Sequence, residues 1–295
     1  MDQRPPIASP LPQTGGLQAL RAAARRHEPD RYLAALLAPA GCQPDLLALA
    51  AFAGELARIP ATVSDPLIGE IRLQWWRDAV EAGLRGETTG HPVADALATT
   101  IRARRLPMAD IHSIIDARAF DLSGDLHAGD DALEANMAAC DGRLLALGHQ
   151  VVTGQVLPAG IAAQAGLAYG LARALGRLPA LLHNGGFPVP ATLLAREGVS
   201  RGMLAERPFA EATVAGVEQA AKALEGRARQ ALAAVRTGFT RHTCDVSAAM
   251  LPLAMVEPYF KAQNRVGFRR LEQIADVLPL SRLWHLSRAR LTARI

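Results

Sequence analysis

The stretch DLLALAAFAGELARI, residues 45–59, decides the fold class of this sequence. It consists mostly of Ala and Leu, which favour helices, and its apolar residues surround the helix instead of forming one stripe. A helix that is apolar all round needs neighbours on every side, so it belongs in the middle of a helical bundle. Pro44 stands at the first helical turn, and Pro60 is expected to end the helix.

The rest of the 295-residue chain has the same helical character. The β-branched and aromatic residues that favour strands are sparse, and only 4% of the residues are aromatic. Apolar periodicity predicts further helices over residues 30–40, 68–84, 91–104, 108–121, 131–153, 161–178, 192–197, 206–237 and 248–264, and after Pro279. The Gly/Pro breaks between them are short. We therefore predict an all-α, single-domain helical bundle over residues 21–295, preceded by a disordered lead-in over residues 1–20.

Charge and cysteine content narrow the function classes. The formal net charge is +4, and most of the cationic excess is Arg. Zinc-finger spacing, an RNA-binding aromatic signature and a dense Lys/Arg block are all missing from the sequence, so nucleic acid is not an expected partner. The cysteines, Cys42, Cys140 and Cys244, are far apart, and we expect them to be small buried residues in a reducing compartment. No apolar run reaches the roughly 18 residues that span a bilayer, and we expect a cytoplasmic protein that can lie against the inner membrane.

Several segments, in order and approximate spacing, resemble the squalene/phytoene synthase family. The most specific is Arg-Leu-Gln-Trp-Trp-Arg at residues 72–77. The others are residues 30–32, 36–39, 51–53, 166–168 and the Gly/Pro-rich hinge 185–190. The resemblance covers roughly residues 25–290. It implies an all-helical isoprenoid synthase fold that joins two prenyl diphosphates in a central cavity.

By the same resemblance, two aspartate-rich motifs of the family would face each other across that cavity and bind Mg²⁺ on the diphosphate. Mg²⁺ takes oxygen ligands and offsets the charge of the leaving group. In this sequence the first motif falls on Ala57, Arg58 and Ala61, and the second on Arg177 and Leu181. Residues 167–182 contain no acid, and residues 52–62 contain only Glu55, so a small shift in alignment restores neither motif.

Two interpretations of the site remain open. In the first, arginines replace Mg²⁺ and hold an anionic ligand, a prenyl diphosphate or an acidic lipid, with no cofactor. The predicted residues are Arg58, Arg72, Arg77, Arg173 and Arg177, with Glu55, Glu70, Gln74, Trp75 and Trp76 as further cavity or structural positions. The alternative without a ligand is that the cavity has collapsed, the arginines are exposed or paired, and the tryptophans contribute only to packing.

In the second interpretation the Mg²⁺ site has moved to an alternative acidic cluster, Asp116, Asp121 and Asp125. Asp121 and Asp125 are four residues apart and share a face if the helix continues. Gly124 interrupts the segment, however, so capping or ion pairing explains these acids equally simply. The protein would then be an active prenyl transferase.

Within the family, residues 55–58, 63–66 and 69–77 resemble a branch whose members help to assemble respiratory complex I. This implies a non-catalytic binding or assembly factor with a respiratory-complex subunit as its partner. The segment after Pro279 mixes Leu283, Trp284 and Leu291 with several arginines. It predicts either a terminal helix packed on the bundle or a peripheral membrane contact.

Overall fold

The computed structural model describes residues 14–63, 65–184, 186–242 and 246–295, and it confirms the all-α class. Within these residues the β-structure is limited to one bridge between Leu126 and Phe187. The α-helices are α1 (Thr14–His27), α2 (Pro29–Leu36), α3 (Gln43–Thr62), α4 (Pro66–Leu84), α5 (Pro92–Arg104), α6 (Met108–Ser123), α7 (Asp130–Met137), α8 (Arg143–Thr153), α9 (Ala159–Gly176), α10 (Leu178–His183), α11 (Ala191–Arg196), α12 (Arg201–Ala205), α13 (Glu211–His242), α14 (Val256–Val266) and α15 (Pro279–Thr292).

Helix α3 lies in the core as predicted. Leu47, Phe52 and Leu56 are almost fully buried, and the helix packs against α1, α2 and α5. The prediction that Pro60 ends α3 is wrong, because the helix continues to Thr62. A proline this close to the carboxyl end removes only one backbone hydrogen bond, so the last turn still forms.

Three other predicted helices are interrupted. Residues 131–153 form α7, a π-helical turn over Ala138–Gly142, and α8. Residues 206–237 divide into a non-helical segment, 206–210, and the part of α13 that begins at Glu211. The helix predicted from residue 248 begins as a 3-10 helix, Ala248–Met255, before α14. Pro252 lies inside that segment and lacks the amide hydrogen that a regular helix needs.

The amino-terminal boundary lies earlier than predicted. Helix α1 begins at Thr14, and Leu20 and Ala24 are fully buried. Residues 14–20 are therefore helical, whereas residues 1–13 of the predicted lead-in lie outside the described part. Cys42 and Cys140 are buried and unbonded to each other, while Cys244 and Gly185 of the hinge also fall outside the described residues.

Helix α9 is the element around which the site is built. It packs against α13, α14 and the π-helical turn Ala138–Gly142. Arg173 is the only charged residue in α9. Such a lone charge in an apolar helix requires buried partners, and these come from Glu28, just before α2, and from Asp141 in the π-helical turn.

Candidate functional site

The guanidinium group of Arg173 lies between two buried carboxylates. Its Nη2 atom is 2.8 Å from Oε1 of Glu28, and its Nη1 atom is 3.6 Å from Oδ1 of Asp141. Arg31 bridges the same two acids, at 2.5 Å from Glu28 and 2.5 Å from Asp141. Two cations and two anions therefore alternate around a closed ring of contacts.

A second group of contacts surrounds Asp30. Its Oδ2 atom accepts hydrogen bonds from the hydroxyls of Tyr169 at 2.8 Å and Tyr259 at 2.7 Å. Its Oδ1 atom is 2.7 Å from Nε of Arg282. Arg282 also donates to Asp276 at the surface, at 2.8 Å.

Tyr169 joins the two groups. Its ring lies 5.1 Å from the guanidinium carbon of Arg31 and 5.2 Å from that of Arg173, within range of cation–π attraction. We call the joined set the central ion-pair cluster. It consists of Glu28, Asp30, Arg31, Asp141, Tyr169, Arg173, Tyr259 and Arg282.

With its carboxylates ionised, the charges of the central ion-pair cluster cancel. Burial raises the pKa of Asp30, whereas Arg282 and the two tyrosine hydroxyls favour its ionised form. Three carboxylates, of Glu28, Asp30 and Asp141, face three guanidinium groups, of Arg31, Arg173 and Arg282, and no side chain among the six is more than 13% exposed. Burying an unpaired ion is very costly, so each charge depends on its partners. The cluster therefore leaves little net charge with which to attract either an anion or a metal ion.

Burial and pairing set the protonation states. Burial by itself would raise the pKa of Glu28, but Arg173 and Arg31 outweigh it and lower that pKa to about 2. Glu28 is therefore ionised at neutral pH. Burial raises the pKa of both Tyr169 and Tyr259 well above the ordinary value, so both hydroxyls keep their protons and donate to Asp30.

Glycines allow Asp141 to reach the cluster. A Cβ atom at Gly166 would stand 2.4 Å from the backbone nitrogen of Gly142, and one at Gly170 would stand 3.0 Å from Oδ2 of Asp141. Only residues without a side chain permit so close an approach of α9 and the π-helical turn. Such turns are often found where a helix must redirect a functional side chain.

The five arginines predicted to line one cavity do not lie together in the structure. Arg173 alone belongs to the central ion-pair cluster. Arg58 is 46% exposed and pairs with Glu55 at 3.3 Å. Arg72 is exposed and donates to Thr62 at 2.7 Å.

Arg77 and Arg177 differ from each other in their surroundings. Arg77 binds Asp116 at 2.5 Å and also donates to Gln74. Arg177 has no side-chain hydrogen bond or ion pair within the residues that the structure describes. Burial and the neighbouring Arg173 lower the pKa of Arg177.

The alternative acidic cluster is dispersed as well. Asp116 pairs with Arg77, Asp121 with Arg118 at 3.0 Å, and Asp125 with Arg201 at 3.2 Å. Glu70 is exposed on α4. In the described part of the chain, no three His, Cys, Asp or Glu side chains are grouped so that they could hold a metal ion.

The paired tryptophans have packing roles. Trp76 is 4% exposed and meets the ring of Phe52 edge-on at 5.4 Å. Trp75 is half-exposed and lies 5.3 Å from the ring of His91.

Two cavities accompany this arrangement, and none of the five predicted arginines lines either of them. The cavity beside Arg31, between α2, α3 and α8, measures only about 20 Å³, room for about one water molecule. A groove of about 1120 Å³ lies away from the cluster, between α6 and α7. Alanines line much of it, together with Asp116 and Asp125 of the alternative acidic cluster, each of which is paired with an arginine.

Sequence reasoning missed most of the central ion-pair cluster. Of its members only Arg173 was a predicted site residue. The usable signal was the lone charge of Arg173 in an apolar helix.

Comparison with known proteins identifies the protein family to which this chain belongs. The chain matches the family model "Squalene/phytoene synthase" over residues 24–290 and belongs to that family. Solved structures support the fold. The squalene synthase HpnC from Alicyclobacillus acidocaldarius is 20% identical with a TM-score of 0.63, covering 86% of this chain and 95% of that one. A dehydrosqualene synthase solved with a ligand is 14% identical with a TM-score of 0.71, covering 94% and 97%.

Sequence relatives point to one particular branch of the family. The chain is 29% identical over 262 residues to NADH dehydrogenase (ubiquinone) complex I, assembly factor 6, of Rattus norvegicus, covering 87% of this chain and 78% of the rat protein. The human protein of the same name is 31% identical over 110 residues, covering 37% of this chain and 33% of that protein. The resemblance to a complex I assembly branch is thus confirmed. Among the described helices, none is both long and apolar enough to cross a membrane.

Proposed function

We propose that this protein is a non-catalytic member of the squalene/phytoene synthase family that acts as an assembly factor for respiratory complex I. The observation that carries the proposal is the central ion-pair cluster. Its buried charges are neutralised by one another (Arg173 by Glu28 and Asp141, Asp30 by Arg282). The similarity to the rat assembly factor over most of both chains is the reason for proposing complex I as the client.

The chemistry of prenyl transfer supports the non-catalytic part. Ionising a prenyl diphosphate requires positive charge on the leaving group, which Mg²⁺ held by carboxylates supplies. The aligned positions carry Ala57, Arg58, Ala61, Arg177 and Leu181, and none of these side chains attracts Mg²⁺. The alternative, an active prenyl transferase, needs a Mg²⁺ site rebuilt elsewhere, and its best candidates are already paired with different arginines.

A prenyl diphosphate or acidic lipid held by the predicted arginines receives support at one residue only. Arg177 is exposed and has no ion-pair partner among the described residues, whereas Arg173 is already neutralised by Glu28 and Asp141. Direct binding of an anion at the buried centre would have to break those ion pairs. We therefore place the function at the protein surface, toward a respiratory-complex subunit on the cytoplasmic side of the inner membrane.

The test is deletion of the gene in its host, with assembled complex I measured on native gels and by NADH oxidation in membranes. We expect assembled complex I to fall, and we expect the wild-type gene to restore it. The triple variant Asp116→Asn, Asp121→Asn, Asp125→Asn should restore it equally, because the proposal gives those acids no chemistry. Normal complex I in the deletion strain would overturn the assembly role, and failure of a well-expressed triple variant would favour the transferase.

A further inference from the structure

The carboxyl-terminal helix α15 presents an apolar stripe to solvent. Leu280 is 82% exposed, Trp284 66% and Leu291 86%. Leu278, just before the helix, is also 72% exposed. Large apolar side chains are normally scattered singly on a protein surface, so a contiguous set indicates a contact.

Helix geometry places this stripe opposite the packed side of α15. Arg282, Leu286 and Ala289 are buried and face the 3-10 segment Ala248–Met255 and α2. At about 100° per residue, the directions of Leu280, Trp284 and Leu291 fall within about 40° of each other, on the far side. Folding of the bundle has therefore left this stripe uncovered while the other side of α15 is fully packed.

The ionisable side chains of α15 itself are all basic, and the exposed carboxylate just before the helix, Asp276, is paired with Arg282. Residues 277–295 contain no Asp or Glu, and Arg288, Arg290 and Arg294 are exposed there. After burial, Lys261 of α14 and Arg288 are the main groups that lower the pKa of His285, which places another cation beside α15. An apolar stripe edged by arginines, with Trp among the apolar residues, is the pattern of a helix that lies in a membrane interface.

We infer that α15 docks on an anionic lipid surface. Leu280, Trp284 and Leu291 enter the boundary below the head groups, and Arg288 and Arg294 face the lipid phosphates. The positive charge beside the stripe favours an anionic lipid surface as its partner. The exposed apolar residues of α4, Leu67 and Ile71, lie among Asp65, Glu70 and Arg72, a mixed rim without preference for an anionic surface. This inference does not depend on the assembly role.

The docking helix is also tied to the middle of the molecule. Arg282 leaves the buried side of α15 and pairs with Asp30 of the central ion-pair cluster at 2.7 Å. That anchor keeps α15 on the bundle, so the apolar stripe is presented by a fixed helix.

The test is cosedimentation of the full-length protein with vesicles. Phosphatidylcholine mixed with phosphatidylglycerol should bind it, and pure phosphatidylcholine should bind it much more weakly. Leu280→Ser with Trp284→Ser should weaken binding to the anionic vesicles by about tenfold or more, because two large apolar side chains are lost from the interface. Arg288→Gln with Arg294→Gln should weaken it by about tenfold through lost attraction to the phosphates.

The control variant is Leu67→Ser with Ile71→Ser, which removes a similarly exposed pair from α4 and should leave vesicle binding unchanged. All four substituted apolar positions are exposed, so folding should survive, and circular dichroism checks it. Wild-type protein that stays in solution with anionic vesicles would overturn the inference. Binding of the α15 variants to anionic vesicles as strongly as wild type would overturn it as well. A dimer that dissociates in the Leu280/Trp284 variant, without any vesicle binding, would show that a second protein copy covers the stripe instead.

Discussion

Glu28 shows how the buried arginines decide the role of a single side chain. It stands at the cap position of α2, yet its carboxylate makes no capping hydrogen bond. Both oxygens bind guanidinium groups instead, one of Arg31 and one of Arg173. Charge-assisted contacts of this kind are about twice as strong as neutral hydrogen bonds, which is why the cluster takes precedence over the cap.

The lowered pKa of Glu28 predicts a pH-dependent stability. Its pKa falls from 4.5 to about 2 on folding, so its stabilising effect is complete above pH 4.5 and is lost as pH falls toward 2. The size of this effect is about 3 kcal/mol. Glu28→Gln should cost about 3–5 kcal/mol at neutral pH, because two buried guanidinium groups lose a partner. Urea unfolding should show that the difference from wild type shrinks between pH 4.5 and 2.

The matched control for this prediction is Glu70→Gln, an exposed carboxylate on α4. It should change the free energy of unfolding by less than about 0.5 kcal/mol. A Glu28→Gln deficit that stays constant down to pH 2 would contradict the account of the cluster.

Only part of this cluster was predictable from sequence at the residue scale. Arg173 stands out because no other charge lies in α9. Its partner Glu28 is 145 residues away in sequence. Asp30 and its partner Tyr259 are 229 residues apart. No local pattern connects such positions. The sequence could only indicate that Arg173 needs buried acids, and which acids supply them depends on the packing of the whole bundle.

At the scale of elements, the contact between α9 and the π-helical turn controls where Asp141 lies. Gly166→Ala should be strongly destabilising, because the new Cβ atom would stand 2.4 Å from one backbone atom of Gly142 and 2.6 Å from another. Backbone cannot move aside as a flexible side chain does, so we expect a loss of about 3 kcal/mol or more. Thermal or urea unfolding measures it.

Gly160→Ala in the same helix is the control. A Cβ atom there meets nothing within 4 Å, and alanine favours a helix over glycine, so we expect an unchanged or slightly higher stability, by up to about 1 kcal/mol. If Gly166→Ala proved as stable as Gly160→Ala, the close approach of α9 and the turn would not exist as described.

Element positions were mostly predictable, and the exceptions share a cause. Helices α3, α4, α5 and α6 were predicted to within a few residues because helix-forming residues fill them and a proline stands within one residue of each start. The π-helical turn Ala138–Gly142 and the 3-10 segment Ala248–Met255 were predicted as regular helix. Composition there is helical, and the deviation arises from a tertiary contact at Gly142 and from Pro252, whose missing donor changes the local turn.

At the scale of the whole molecule, the family fold was predictable while the character of its centre was not. Dispersed segments, above all residues 72–77, carried the family resemblance, and missing aspartates indicated a lost metal site. The expected gathering of arginines came from treating two alignment positions as neighbours. In the structure Arg58 lies near the exposed end of α3 and Arg177 follows the end of α9, and neither belongs to the central ion-pair cluster. What occupies the centre instead is a set of acids that the sequence pattern did not mark as site residues.

The central claim is that this family member performs no prenyl transfer. Its most direct test is pyrophosphate release from farnesyl or geranylgeranyl diphosphate with Mg²⁺, using an active squalene synthase as positive control. We predict that the purified full-length protein releases no more pyrophosphate than the protein-free blank. Sustained multiple-turnover release that is lost in the triple variant Asp116→Asn, Asp121→Asn, Asp125→Asn would contradict the account and assign a rebuilt metal site.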